Sequence, residues 1–203
     1  MSMVASTTGC TSGSAAYTES ARLAACFGGA AGAGLGRQLL ASARVKGRLP
    51  ALISSRYSLP SWVEPEACDG LDRAIALRPA AELEKIVRRA GAIYWSAPIA
   101  NVVLTQDVKA LHEQIGEENY RLAVKHRDLT GANQSLAPAG TFRERMIADG
   151  WRCFAAWCDT LPPGAGTRVR LKFPASALLD TAASAPFDKR GPAIVRRAAS
   201  SDE

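Results

Sequence analysis

From Met146 to Cys158 the large apolar side chains Met146, Ile147, Trp151, Phe154, Trp157 and Cys158 recur with the three-to-four-residue period of one helix face. No other stretch is as bulky, and aromatic residues make up only 6% of the 203 residues. Much of the 47% apolar content is alanine, which brings helices close together but buries little area per residue. A chain of this length builds one core and scarcely two. Any fold must therefore wrap its other elements around this stripe, and those elements should be helices.

The rest of the sequence supplies them. From Ala80 to Trp95 the residues Leu83, Ile86, Val87, Ala90 and Ile93 or Tyr94 share a face, behind a first-turn proline, Pro79. Glu82 and Glu84 come early and Arg88 and Arg89 late, the order that suits the helix dipole. Pro98 is predicted to open a short second helix through Val102, Val103 and Leu104. Thr105 caps a third, with Val108, Leu111 and Ile115 inward and Gly116 as its stop. A fourth runs from Glu117 to Leu129. Thr141 and Glu144 have the spacing of a capping box and should start the bulky helix, which ends before Pro162-Pro163-Gly164.

From Thr167 to Phe173, Val169, Leu171 and Phe173 alternate with Arg168, Arg170 and Lys172. A period of two predicts a strand with one buried and one basic face. A short helical turn near Ala177–Leu179 is expected after it. The fold class expected is mainly α, one helical domain with one or two short β-strands near the C-terminus.

Flanking this domain (37–184), residues 1–36 read as a disordered Ser/Thr/Gly/Ala-rich leader and 185–203 as a flexible basic tail. Residues 47–70, with Pro50, Pro60, Pro65 and Gly70, read as loops pinned by Tyr57, Leu59, Trp62 and Val63. No stretch reaches the roughly 18 to 20 apolar residues of a membrane span. The segment before the Gly28–Gly36 tract carries Glu19 and lacks the basic start of a signal peptide. Five irregularly spaced cysteines suggest reduced thiols rather than a disulfide framework. These features lead us to expect a soluble, cytoplasmic protein without direct membrane insertion.

A search for chemistry returns little. The two histidines, His112 and His126, fit no zinc spacing, and Cys153 and Cys158 are separated by four intervening residues rather than two. Gly9–Gly13 has the outline of a nucleophile elbow but no strand ahead of it. Gly36 is followed by Arg37-Gln38, not the Lys-Ser or Lys-Thr of a phosphate loop. Glu82/Glu84 and Glu117/Glu118 sit at exposed helix starts. No catalytic, cofactor or metal residue is expected. The net charge of +6 suits solubility or an acidic partner. Its arginines are scattered rather than gathered in one patch, so nucleic acid is not expected. The partner-interface candidates are Arg168, Arg170 and Lys172 on the basic strand face, and Trp151 and Trp157 should the bulky helix be exposed rather than core.

The order of features carries a resemblance. Tyr57 and Leu59-Pro60-Ser61-Trp62 precede a helix reading Glu-Leu-Glu-Lys-Ile-Val-Arg-Arg-Ala-Gly from Glu82. The segments Ile99–Ile115, Glu117–Leu129, Met146–Trp157 and Arg168–Pro174 then follow. This pattern, over roughly residues 50–175, resembles the SctK family of type III secretion proteins, which includes YscK, PscK and the more distant OrgA. The resemblance implies an accessory component of the injectisome sorting platform, recruited to the cytosolic face of the inner membrane. There it would bridge the cytosolic domain of an SctD-like ring protein to an SctQ-like pod protein, and so to an SctL-like stator and an SctN-like ATPase. No enzyme activity or cofactor comes with the resemblance, and no motif residue transfers. Three rival readings stay open: a type III secreted effector or chaperone, a small basic nucleic-acid-binding protein, and an enzyme using His112 or His126.

Overall fold

The computed structural model describes residues 18–27, 33–46, 48–60, 68 and 70–200. Its axis is α10 (Ala139–Thr160), which carries the bulky stripe. Two long helices lie on it and on each other, α6 (Ala80–Tyr94) and α13 (Phe187–Ala199). The chain also forms α1 (Ser20–Ala25), α2 (Ala33–Ala41), α3 (Ala43–Lys46), α4 (Leu49–Arg56) and α5 (Gly70–Leu77). Between α6 and α10 come α7 (Ser96–Ala100), α8 (Thr105–Ile115), α9 (Glu117–Lys125) and a 3-10 turn, Arg127–Leu129. Two short helices, α11 (Ala165–Arg170) and α12 (Ala177–Asp180), separate α10 from α13.

The periodicity reading holds for α6 and α10. Leu83, Ile86, Val87, Ala90, Ile93 and Tyr94 are all buried on α6. On α10, Met146, Phe154, Trp157 and Cys158 have at most 2% of their surface exposed. Gly116, with φ of 84°, turns the chain from α8 into α9 in a conformation that glycine adopts without strain. A sharper constraint lies where α6 crosses α10. A Cβ on Gly91 would collide with the carbonyl oxygen of Met146, and one on Gly150 with that of Val87. The two backbones are therefore in direct contact, and only hydrogen fits at either position. On a neighbouring face of α10, Gly191 of α13 is nearly as tight, since its Cβ would lie 2.8 Å from Ala156 Cβ and 2.9 Å from Cys153 O.

The tail expectation is corrected. Residues 187–199 form α13, with Ile194, Val195, Ala198 and Ala199 buried in the main core. Gly191 and Pro192 mimic a tail composition. Gly191 is there for close packing, and Pro192 sits early in the helix, where only one backbone bond is given up. Residues 201–203 lie outside the described residues.

The strand is corrected too. Thr167–Arg170 belongs to α11 and Leu171–Phe173 to a turn, and no strand occurs among the described residues. Val169, Leu171 and Phe173 are buried as alternation demands, but toward different places. Val169 and Phe173 enter the main core, whereas Leu171 joins a second cluster with Leu23, Leu49, Ile53 and Leu59. Two cores on either side of a turn reproduce a period of two without a sheet.

That second cluster corrects part of the leader and the loop. Residues 20–25 form α1, and α1 packs on α2. Arg22 Nε donates to Phe173 O at 2.5 Å, and its Nη2 bonds both Asp180 oxygens at 2.8 and 3.1 Å. Residues 49–56 form α4 rather than a loop. Tyr57 Oη donates to Arg22 O at 3.1 Å and Leu59 is buried, as anchors should be. Residues 1–17 and 28–32 of the expected leader, and the anchors Trp62 and Val63, lie outside the described residues.

Smaller differences concern helix ends. α7 stops at Ala100, so Val103 and Leu104 lie beyond it. The capping box does not form, because α10 starts two residues earlier, at Ala139. Thr141 is thereby inside the first turn, and its hydroxyl donates back to Pro138 O at 3.3 Å.

Gly91→Ala and Gly150→Ala are each expected to lower unfolding stability by about 2 kcal/mol or more, because the neighbour is backbone and yields little. Gly140→Ala, on the same helix with nothing within 4 Å of its Cβ, is expected to raise stability by a few tenths to about 1 kcal/mol. Urea unfolding of the three variants decides, and equal losses at all three sites would contradict the crossing.

Candidate functional site

Two tryptophans point their indole N–H groups into the body, and each meets a buried carboxylate. Trp157 Nε1 donates to Asp72 Oδ1 at 2.9 Å. Arg196 grips the same carboxylate from α13 through Nε and Nη2, both at 2.8 Å. Asp72, on α5, thus ties three helices together. Trp95 Nε1 donates to Asp149 Oδ2 at 2.8 Å, and Arg152 bonds Asp149 Oδ1 at 2.5 Å. The Arg196 hydrogen bonds hold the Asp72 carboxyl below the usual carboxylate range, against its burial and with help from Trp157. These nodes escaped the sequence reading. The available signal was position: Asp149 stands between Met146 and Cys153 on the apolar face, where a carboxylate needs an internal partner.

The expected interface residues sit close together but are turned inward. Lys172 Nζ donates to Ala76 O and Arg78 O, both at 2.7 Å, at the end of α5. Burial pulls the pKa of its ammonium down. Arg170 bonds Leu179 O at 2.9 Å, Ala155 O at 3.0 Å and Asp159 Oδ1 at 2.6 Å. Arg168 Nη2 reaches Pro60 O at 3.0 Å. Instead of lining a strand face, these cations bond backbone carbonyls, several of them at helix ends and turns, and Arg170 also bonds a carbonyl and a carboxylate on α10. Trp157 is fully buried. Trp151 is half-buried, with its ring edge-on to Phe154 and Phe173 at 5.8 and 5.0 Å.

The thiols have the opposite character to reactive cysteines. Burial pushes Cys158 up to about 12 and Cys153 higher still, and raises Cys26 and Cys68 as well. His112 packs edge-on against Tyr120, with ring centroids 4.4 Å apart. Among the described residues no group of three or more His, Cys, Asp or Glu is placed to hold a metal ion. No described helix is long and apolar enough to cross a membrane.

Two surface features stand out on this body. Between α7 and α8, Val103 and Leu104 are 85% and 65% exposed. The neighbouring Val102 lines a shallow cleft of about 480 Å³, with Ala97, Pro98 and Asn101 on one side and Leu136 on the other. A second cleft, of about 260 Å³, opens between the ends of α9 and α13, lined by Arg121, Lys125, His126, Arg197 and Ser200 with Glu118 at its rim.

The model of the family described as YOP proteins translocation protein K (YscK) matches residues 36–196, most of the chain. The chain belongs to the YscK family. This is the SctK family of type III secretion proteins, so the resemblance carried by the residue pattern is borne out. No curated protein and no solved structure matches the chain. The YscK match begins at Gly36 in α2 and ends at Arg196, the α13 residue that grips Asp72. It therefore includes most of α13, which the sequence reading had assigned to a tail.

Asp72→Ala strands the Trp157 N–H and leaves Arg196 without its carboxylate, and is expected to cost about 3 kcal/mol. A carboxyl with a depressed folded pKa contributes stability that is complete above its unfolded value and is lost as pH falls through the folded one. Asp72→Asn is therefore expected to lose less than Asp72→Ala and to flatten the fall in stability below about pH 4. Thermal melts from pH 2.5 to 7 measure both, and an unchanged acid limb in the asparagine variant would contradict the assignment.

Proposed function

We propose that the chain is a non-catalytic cytoplasmic adaptor of a type III secretion system. It joins the cytosolic domain of an SctD-like inner-membrane ring protein to an SctQ-like pod protein of the sorting platform. Through the pod it connects to an SctL-like stator and an SctN-like ATPase. The observation that carries this reading is the family match across residues 36–196. The distribution of side-chain chemistry is in keeping with it. Buried carboxylates, indoles and most of the inward-turned cations join one helix to another, while the exposed Val103–Leu104 pair, between α7 and α8, and the basic cleft, between α9 and α13, are separate surface features. An adaptor of this kind needs only modest affinity per contact, because many copies around a ring supply avidity.

The full chain, tagged at its C-terminus and recovered from the native bacterium after nuclease treatment, is expected to bring down a ring component and the pod protein in stoichiometric amounts. Recovery of nucleic acid without any secretion component would overturn the adaptor reading.

A further inference from the structure

The cleft between the ends of α9 and α13 contains a buried group with nothing to bond. His126 caps α9, its backbone N–H donating to Leu122 O at 3.1 Å, and only 7% of its surface is exposed. Its Nε2 is buried and has no hydrogen-bond partner among the described residues. Such an atom in the wall of a polar cleft is costly unless something outside the chain satisfies it. The surroundings say what that something is. Lys125 on α9 and Arg197 on α13, with Arg121, which pairs with Glu117, outnumber the single lining carboxylate, Glu118, which Arg89 already engages.

We propose that this cleft docks an acidic segment of a partner protein, one carboxylate seating against His126 Nε2 between Lys125 and Arg197. A single carboxylate fits better than a phosphate dianion, because Glu118 shares the cleft. The volume of about 260 Å³ also exceeds what one small ion fills. The carbonyl ends of both helices disfavour an anion, and the cations offset them. A protonated imidazole completes the offset, so docking draws a proton from solvent onto His126.

In the free protein, burial together with the Arg197 and Lys125 charges holds His126 below its ordinary pKa, opposed by Asp128. Arg121 and Glu118 are the other charged groups lining the cleft. A docked carboxylate reverses the balance and raises the pKa. Binding must therefore tighten as pH falls. The inference rests on the cleft and not on the adaptor reading, and its test uses no secretion component.

The experiment is an NMR titration of the full chain with hexaglutamate, following the imidazole signals of His126, with those of His112 as internal control. The expected result is saturable binding, a higher His126 pKa in the complex, and affinity at least about threefold greater at pH 5.5 than at pH 8. His126→Gln should keep the fold and abolish the pH dependence. Lys125→Glu should weaken binding by about tenfold. The proposal is overturned by an unmoved His126 signal, by pH-independent binding, or by inorganic phosphate binding as tightly as hexaglutamate. It is also overturned if Asp202→Asn with Glu203→Gln lowers the His126 pKa without peptide, since the occupant would then be the chain's own terminus.

Discussion

The contact on which the structure depends is the backbone crossing of α6 and α10 at Gly91 and Gly150. Each glycine faces a carbonyl of the opposite helix, and a methyl group at either one would push the pair apart. This close approach lets a chain with few aromatics and many alanines build a dense core, because short side chains fill a narrow gap well. Gly191 repeats the device where α13 meets α10. α10 thus receives both α6 and α13 at glycines that leave no room for a methyl group.

Polar bonding then fixes which helix goes where. Asp72 gathers α5, α10 and α13, Asp149 joins the end of α6 to α10, and Arg22 binds α1 to the segment around α12. Apolar faces alone would allow several arrangements of so many short helices. A carboxylate that must meet an indole N–H and a guanidinium admits few, since the alternatives leave a charge buried and unpaired. This division of labour leaves the surface to interaction chemistry.

How much of this was legible follows from the range of each force. The faces of α6 and α10 could be read because helix burial repeats within a few residues, and the stop at Gly116 is local as well. The α13 helix was missed because Gly191 and Pro192 read locally as breakers, whereas Gly191 answers a partner, Cys153 and Ala156, far away in sequence. The basic alternation at Arg168–Lys172 misled for a related reason. Its inward residues serve two cores rather than one sheet face, and its cations answer carbonyls on α5, α10 and α12 that no local pattern reveals. Of the expected interface residues, Trp157 proved wholly internal, while the cleft at His126 depends on the meeting of two helix ends and left no signature in the chain.

Packed on one another, α6, α10 and α13 should form one cooperative unit. Native-state amide hydrogen exchange tests this most directly. Amides from Gly191 to Ala199 should exchange with the same free energy of opening as those of α10 from Met146 to Trp157, close to the value for global unfolding. If the α13 amides exchange at rates near those of an unstructured peptide while α10 stays protected, the last helix is a tail after all and the three-helix core is wrong.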